Sequence, residues 1–190
     1  SWRLGTPLSN FEANMDYRKV QDPAVTVALP ILEEEGLVLL AWTTTPWTLP
    51  SNMALCVGPD IDYVRAKRPG DDTTYVVAEA LKDKVLGEDA EILSRCKGRD
   101  LVGLTYTPLF ELFAEARSDG AFRVVADDYV STDSGTGIVH QAPAFGEDDW
   151  RVCEREGIPM RDATDLQGRF LDSFEIGAGQ FVKDADKAII

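Results

Sequence analysis

Three consecutive threonines, Thr43 to Thr45, end a strongly apolar run and are candidates for chemistry. Successive side chains of an extended chain alternate, so we expect Thr43 and Thr45 to face one side and Thr44 the other. Pro46 restricts the preceding residue to extended conformations, and Pro50 prolongs a rigid path that we predict to be non-helical. The segment therefore predicts a fixed loop that presents hydroxyl groups.

Two side chains after the threonines suit the same chemistry. Trp47 offers an aromatic ring and Asn52 an amide. Hydroxyls and an amide can hold a sugar, an ester carbonyl or a water molecule without carrying charge. The plain alternative is a threonine-rich edge strand followed by a proline turn, and composition alone favours that alternative.

A second candidate segment, GTGIVHQAPAFGEDD, covers 135–149. Gly135 and Gly137 permit a tight turn or a close backbone approach before a short strand that carries His140. Asp149 falls in the first turn of a predicted helix, where the helix dipole favours the ionised carboxylate. An ionised, partly enclosed aspartate suits an ammonium ligand. Taken singly, His140 reads as a structural histidine and Asp149 as helix-start electrostatics.

The elements that must position these residues are mostly strands. Short β-rich runs are separated by turn signals, and they cover 37–44, 54–57, 62–67, 74–78, 122–126 and 137–142. Helices are predicted over 79–86, over 147–156 with Gly157 just beyond its end, and over 181–190 with Asp184 as its cap. The predicted fold class is α+β: one domain over 1–190, centred on a β-barrel with a few peripheral helices.

The composition is that of a folded acidic domain. The 190 residues include 19 Lys or Arg and 33 Asp or Glu, a net charge of −14, and 44% are hydrophobic. This balance is too apolar for a disordered acidic tail. It disfavours proteins that hold nucleic acid or anionic membranes mainly through their own charge. The longest apolar run, 37–42, is far shorter than the ~20 residues that span a bilayer.

Cysteine and histidine usage excludes further classes. Cys56, Cys96 and Cys153 are widely spaced and odd in number, which disfavours a disulfide framework and indicates a reducing compartment. His140 is the only histidine and no CxxC pair occurs, so we predict no metal site. The motifs GxSxG, GxxxxGK[ST] and GxGxxG are absent, which disfavours the hydrolases and nucleotide-binding proteins that carry them.

Together, TTTPWTLPSNMAL and, about ninety residues later, GTGIVHQAPAFGEDD resemble the editing (CP1) domain of isoleucyl-tRNA synthetases, class I enzymes. The flank DPAVTVALPI, 22–31, agrees. Valyl and leucyl enzymes typically have arginine where this chain has Thr45, so that position, like His140 in HQAP, indicates the isoleucyl branch. The synthetic signatures HIGH and KMSKS are absent. The resemblance therefore implies an isolated editing module without aminoacylation activity.

The resemblance implies hydrolysis of Val-tRNA(Ile), and of valyl-adenylate as a further substrate. One methylene changes the binding free energy in a hydrophobic pocket by only about 1–3 kcal/mol, and discrimination between isoleucine and valine is the standard example of this limit. A second pocket can instead admit valine and clash with isoleucine. By motif match Asp149 binds the α-ammonium, and the three threonines contact the terminal adenosine, the ester and the attacking water. His140, with Trp47, excludes isoleucine, and Asn52 orients water or supports the site.

No covalent nucleophile and no cofactor are implied, and His140 as a general base ranks below its steric role. The implied partners are the 3′ acceptor end of tRNA(Ile) carrying valine and the synthetic domain of the parent enzyme. A cytoplasmic monomer without a membrane partner is expected, and its acidity predicts weak tRNA binding. The incomplete helix at the end is typical of an excised fragment, whose two ends should lie close together.

Two other functions compete with this interpretation. One is a non-catalytic domain that binds the tRNA acceptor end or serves as a structural insertion. The other is a small acidic β-domain for protein interaction, which composition alone supports.

Overall fold

The computed structural model describes Ser9 and residues 22–190. Its strands are β1 (Val25–Pro30), β2 (Leu37–Thr43), β3 (Ala54–Val57), β4 (Asp62–Lys67), β5 (Thr74–Ala78), β6 (Glu91–Lys97), β7 (Arg123–Ala126) and β8 (Ile138–Gln141). The α-helices are α1 (Lys82–Leu86), α2 (Glu147–Arg155) and α3 (Val182–Ile189). Shorter 3-10 helices cover Pro46–Ser51, Glu79–Leu81, Gly98–Leu101 and Glu111–Asp119.

The strands form two mixed sheets. One has the order β1-β2-β5-β4-β6 and the other the order β7-β3-β8. The pairs β2–β5 and β3–β7 are parallel, and the remaining neighbours are antiparallel. Single bridges from Ile31 to Tyr106 and from Thr105 to Arg123 connect the sheets along one side. The mixed α+β content is as predicted, but the strands of residues 22–190 form two sheets, so the predicted closed barrel is not confirmed.

The main core lies between the two sheets. Residues from both contribute fully buried side chains, among them Leu39, Leu55, Val76, Val124 and Ile138. All four residues of β3 are buried, because this strand is the centre of its sheet and is covered on both faces. That double burial explains why the sequence of β3 is continuously apolar and does not alternate.

The predicted strands agree closely with the observed ones, and the differences are at the sheet edges and in the helices. The strands β1 and β6, both at the edge of the larger sheet, are additional. The predicted helix over 79–86 is a 3-10 turn followed by α1. Helix α2 ends as predicted, with Gly157 at φ +67° immediately after its capping residue.

Two predictions about helix starts are wrong. Residues 46–51 form a 3-10 helix and not a non-helical path: Pro46 lies at its start, where no N–H donor is needed, and Pro50 lies inside it and donates no hydrogen bond. Phe181, not Asp184, is the N-cap of α3. Asp184 lies in the first turn, where the helix dipole stabilises its negative charge.

Helix α3 packs beside the 3-10 helix that follows the threonines. Phe170, Phe174, Val182 and Ala185 form a small separate cluster, and Trp47 packs against it. Lys183 of α3 also pairs with Asp22 at 2.9 Å, so the first and last described segments touch. The predicted closeness of the two chain ends involves Ser1, which is outside the described residues. Within the described part, no helix is long and apolar enough to cross a membrane.

Candidate active site

The candidate site is a pocket between the end of β2 and β8. Strand β2 pairs with β5 only through Leu37–Leu39, and β8 pairs with β3, so the two strands leave a gap between the sheets. The gap contains a pocket of about 260 Å³, called the His140 pocket below. Its lining residues are Trp42, Thr43, Thr45, Trp47, Thr48, Val139, His140, Ala142, Phe145, Gly146 and Asp149.

The three threonines divide between two pockets. The hydroxyls of Thr43 and Thr45 are 3.2 Å apart and both border the His140 pocket. The backbone N–H of Thr45 donates to the hydroxyl of Thr43 at 3.1 Å, which holds that side chain in place. Thr44 is exposed and borders a different pocket. The predicted alternation, with Thr44 opposite the other two, is confirmed.

The imidazole of His140 is held through both of its nitrogen atoms. The amide Nδ2 of Asn52 donates to Nδ1 at 2.8 Å. The Oδ1 atom of Asn52 accepts from the Tyr106 hydroxyl at 2.6 Å, which sets the orientation of the amide. Since Nδ1 is an acceptor, the proton lies on Nε2, which donates to the hydroxyl of Thr48 at 2.9 Å. Thr48 in turn donates to the carbonyl of Thr45 at 2.9 Å.

This network defines what His140 and Asn52 can do. Burial lowers the pKa of His140 to about 4, so the ring is neutral at pH 7. Its one basic lone pair, on Nδ1, is occupied by Asn52. Asn52 is only 4% exposed and does not line the pocket. The structure thus places Asn52 behind His140, where it fixes the ring, and does not place it against a pocket water.

The lowered pKa of His140 predicts a specific pH dependence of stability. Between pH 6.5 and about 4 the unfolded chain binds a proton at His140 that the folded chain does not, so the free energy of unfolding falls as the pH falls. The expected loss from pH 7.5 to 5.0 is about 2 kcal/mol. Urea unfolding at both pH values measures it. His140 is the only histidine, so His140→Gln should remove this dependence, and an equal loss in the variant would contradict the assignment.

Asp149 projects from the first turn of α2 back across the preceding loop. Its Oδ2 atom accepts the backbone N–H of Ala142 at 2.9 Å. An added Cβ on Gly146 would lie 2.7 Å from that same oxygen, so glycine is required there for the carboxylate to reach its position. Asp149 is partly buried in the described part of the chain, and no cation of residues 22–190 contributes to its electrostatic surroundings.

The protonation behaviour of Asp149 differs from the prediction. Burial raises the pKa of Asp149 above its ordinary value, and the hydrogen bond from Ala142 only partly opposes the effect of burial. Position at a helix start was expected to favour the ionised form, but the removal of water from the carboxylate is the larger effect. A cationic ligand beside Asp149 would stabilise the ionised carboxylate and so oppose the effect of burial on its pKa.

The remaining wall of the pocket is apolar. The rings of Trp47 and Phe145 meet edge to face with their centroids 4.8 Å apart. The indole Nε1 of Trp47 is buried and has no hydrogen-bond partner among the described residues. Trp47 therefore contributes ring surface, as a wall does, and no polar contact to the pocket.

A second pocket adjoins the first. It has a volume of about 320 Å³ and is called the Tyr129 pocket below. Its lining residues are Trp42, Thr43, Thr44, Tyr129, Val130, Ser131, Ser134, Gly135, Thr136, Gly137, Ile138 and Val139. Trp42, Thr43 and Val139 border both pockets. An elongated ligand can therefore occupy the two pockets together.

The structure brings five of the seven predicted site residues into one pocket, whereas Thr44 borders the Tyr129 pocket and Asn52 lies behind His140. Thr43, Thr45, Trp47, His140 and Asp149 share one pocket, as the motif match implied. Sequence reasoning missed Trp42, Thr48, Tyr106, Phe145 and Gly146. A signal existed for Thr48, which lies three residues after Thr45, the spacing of one 3-10 turn. Among the described residues, no group of three or more His, Cys, Asp or Glu could hold a metal ion.

No protein-family model matches the chain, but individual proteins do. It is 48% identical over 190 residues to the isoleucine–tRNA ligase of Bdellovibrio bacteriovorus, covering 98% of this chain and 18% of that protein. It is 49% identical over 196 residues to the cytoplasmic isoleucine–tRNA ligase of Saccharomyces cerevisiae, with the same 98% and 18% coverage. The chain thus spans less than a fifth of the length of these curated relatives.

Solved structures with the same fold are known. The crystal structure of GlLeuRS-CP1 matches with a TM-score of 0.63 at 18% identity, covering 88% of this chain and 93% of that one. The editing domain of the P. knowlesi cytosolic leucyl-tRNA synthetase matches with a TM-score of 0.55 at 17% identity, covering 70% and 62%. At these identities the likeness concerns the fold, and the chain has the fold of these domains.

Proposed function

The chain belongs to the isoleucine–tRNA ligase family and has the fold of synthetase editing domains, and we propose that it hydrolyses tRNA(Ile) mischarged with valine. As a segment about a fifth as long as its relatives, it would act within a larger enzyme whose synthetic part supplies most of the tRNA binding. It would not activate amino acids by itself, since HIGH and KMSKS are absent. The relative named as cytoplasmic supports a cytoplasmic location.

The observation that carries this proposal is the pairing of Asp149 with an apolar wall in one small pocket. A valyl ester carries an ammonium group and a short branched side chain on the same carbon. Asp149 has no cation of the described residues around it, so it is available for the ammonium. Trp47 and Phe145 provide the surface for the side chain.

The threonine hydroxyls are the proposed contacts of the reacting ester. Thr43, at the end of β2, and Thr45, two residues later, line the same pocket as Asp149 of α2, and their hydroxyls are 3.2 Å apart, a spacing that lets both bond one water or one ester oxygen. An activated ester needs a positioned water and a fixed substrate, and positioning supplies much of the rate. No covalent nucleophile is proposed. The ribose hydroxyl of the substrate is a further group that can orient the water.

His140 is proposed as the part of the wall that excludes isoleucine. A general base needs a free lone pair, whereas Nδ1 of His140 accepts from Asn52 and Nε2 is protonated toward Thr48. The neutral ring, which is hydrogen-bonded through both nitrogens, is better suited to act as a steric wall. A wall that collides with one extra methylene discriminates against the larger side chain, which attraction alone does poorly.

The Tyr129 pocket is the proposed site of the terminal adenosine. It shares Thr43 with the His140 pocket and adds Thr44 and the Gly135–Gly137 turn. Both glycines have positive φ, +73° and +78°, which brings the backbone close to the pocket. An ester bond at the shared residue Thr43 would place the amino acid in one pocket and the nucleoside in the other.

Two measurements on this chain test the proposal. Single-turnover deacylation, with the chain in excess, compares Val-tRNA(Ile) with Ile-tRNA(Ile), since the net charge of −14 predicts weak tRNA affinity. Selective loss of valine is expected. A crystal soaked with a non-hydrolysable amide analogue of valyl-adenosine should show the ligand between Thr45 and Asp149. Valyl-adenylate, tested in the same assay, reports whether editing extends to that intermediate.

The alternatives give different results in these measurements. A non-catalytic acceptor-end domain would bind the analogue in the same place but leave Val-tRNA(Ile) intact at saturating concentrations of the chain. A protein-interaction domain would bind neither. Equal hydrolysis of both aminoacyl-tRNAs would support a hydrolase but contradict the proposed specificity.

A further inference from the structure

A third pocket continues the row formed by the first two. This Lys84 pocket has a volume of about 390 Å³. Its lining residues are Thr26, Trp42, Arg68, Lys84, Val85, Ser134 and Gly135. It shares Trp42, Ser134 and Gly135 with the Tyr129 pocket, but only Trp42 with the His140 pocket. The order is therefore His140 pocket, Tyr129 pocket, Lys84 pocket, with Trp42 along all three.

Two exposed cations border the Lys84 pocket. Arg68 donates from Nη2 to the carbonyl of Val85 at 3.0 Å, and its guanidinium carbon lies 5.1 Å from the centroid of the Tyr75 ring. These contacts hold the guanidinium at the pocket and leave its other donors unused by protein. Lys84, on α1, forms no hydrogen bond or ion pair within residues 22–190.

Two acids lie close to these cations in sequence. Asp83, next to Lys84 in sequence, pairs with Lys82 at 2.6 Å. Asp71, the acid closest to Arg68 in sequence, accepts the Tyr75 hydroxyl at 2.7 Å, and although it forms no direct ion pair with Arg68 within residues 22–190, the two charges attract each other. In a protein with a net charge of −14, two neighbouring cations that form no direct ion pair within residues 22–190 are a local exception. They predict an anionic ligand at this place.

Trp42 provides an aromatic surface at the same junction. It lies near the end of β2, is partly exposed, and borders the Gly135 turn. A Cβ on Gly135 would lie 3.2 Å from Cε3 of Trp42, so the turn packs against part of the ring. The ring is held in place there, and a base can stack on its exposed part.

We infer that the Lys84 pocket binds the nucleotide that precedes the terminal adenosine, with its phosphodiester near Arg68 and Lys84 and its base against Trp42. The inference rests on the proposed function, which places the adenosine in the Tyr129 pocket. The RNA strand must leave that pocket on the side away from the amino acid. The order of the pockets makes the Lys84 pocket that exit, and a phosphodiester is the first negative charge the strand carries there.

Two amide analogues test this inference on the chain as it stands. One is valyl-adenosine, and the other carries one additional cytidine joined by a phosphodiester on the 5′ side. The longer analogue should bind about tenfold more tightly, from one stacked base and one phosphate. In Arg68→Ala/Lys84→Ala the ratio of the two dissociation constants should fall well below ten, to the part that stacking on Trp42 alone contributes. Lys187→Ala, an exposed lysine of α3 that lines none of the three pockets, should keep the tenfold ratio.

The salt dependence of binding is an independent test of the contact between the phosphodiester and the two cations. In a plot of log affinity against log salt concentration, the slope for the longer analogue should be more negative than that for valyl-adenosine by about 0.7. This is the value expected for one phosphate of a single strand. Equal affinities of the two analogues, or a tenfold ratio that survives in the double variant, would overturn the inference while leaving the proposed function in place. Failure of the valyl-adenosine analogue to bind would overturn both.

Discussion

Asp149→Asn should lower kcat/KM for Val-tRNA(Ile) deacylation by on the order of 100-fold, about 2.7 kcal/mol. The asparagine keeps the size of the side chain, and its amide oxygen can still accept the N–H of Ala142. Only the negative charge that faces the substrate ammonium is lost. Truncating one member of an enclosed charge pair commonly has an effect of about 2–5 kcal/mol, so the expected loss is within the ordinary range. Single-turnover deacylation at pH 7 measures it.

Two further variants separate charge from position. Asp148→Asn removes the adjacent charge, which is exposed and paired with Arg151 at 3.1 Å, and should leave the rate almost unchanged. Gly146→Ala retains Asp149 but places a methyl group 2.7 Å from its Oδ2 atom, although a φ of −118° is open to alanine. A reduced rate with little change in stability is expected. Full activity of Asp149→Asn would contradict the ammonium contact.

His140→Ala should allow the chain to hydrolyse correctly charged Ile-tRNA(Ile), with a gain of at least about tenfold in rate. The imidazole is replaced by a space larger than the methylene that distinguishes the two amino acids. The energy of fitting one methylene, about 1–3 kcal/mol, corresponds to this change in rate. Deacylation of Val-tRNA(Ile) should be affected less, because Asp149 and the threonines remain. If isoleucine is still rejected, the excluding wall lies elsewhere in the pocket.

Asn52→Ala distinguishes the steric role of His140 from a role as general base. This variant keeps the imidazole but removes its partner on Nδ1, which is 2.8 Å away. With a steric role, the loosened ring should admit some isoleucine while the rate for valine falls little. With a general-base role, the freed lone pair would raise the rate for valine and move the acid limb of its pH profile. The second result would contradict the proposal.

The smaller sheet and the inner strands of the larger sheet could be predicted from the sequence, and the two edge strands of the larger sheet could not. The strands β3, β4 and β5 are buried on at least one face, so their apolar residues stand out between turn signals. Both missed strands are edges of the larger sheet. Strand β6, Glu91–Lys97, is largely exposed and polar, as edge strands often are, which removes the hydrophobic pattern that reveals a strand. Local pattern also does not distinguish a closed barrel from two sheets.

In the candidate site, too, some features could be predicted from the sequence and others could not. Thr43, Thr45 and Asp149 could be selected because their local geometry follows from a strand end and a helix start. Asn52 was also selected, but its contact with His140 and that of Thr48 could not be predicted, since they are separated from His140 by 88 and 92 residues and meet it only in the folded chain. The pKa of Asp149 was predicted in the wrong direction for a related reason. Helix position can be read from sequence, whereas burial depends on what the rest of the chain places around the carboxylate.

The two hydrogen bonds to His140 determine how easily this wall of the pocket can move. A pocket that excludes a larger side chain by steric clash is selective only while its wall stays in place. If moving the wall costs less free energy than the selectivity represents, the larger side chain is admitted. Rejecting isoleucine 100-fold requires about 2.7 kcal/mol. Turning the ring aside would break the bonds to Asn52 and Thr48, and each buried group left without a partner has a penalty of about 1–3 kcal/mol. Under the proposed function, the selectivity of the pocket therefore depends on the hydrogen bonds that hold His140 as well as on its contact with the substrate.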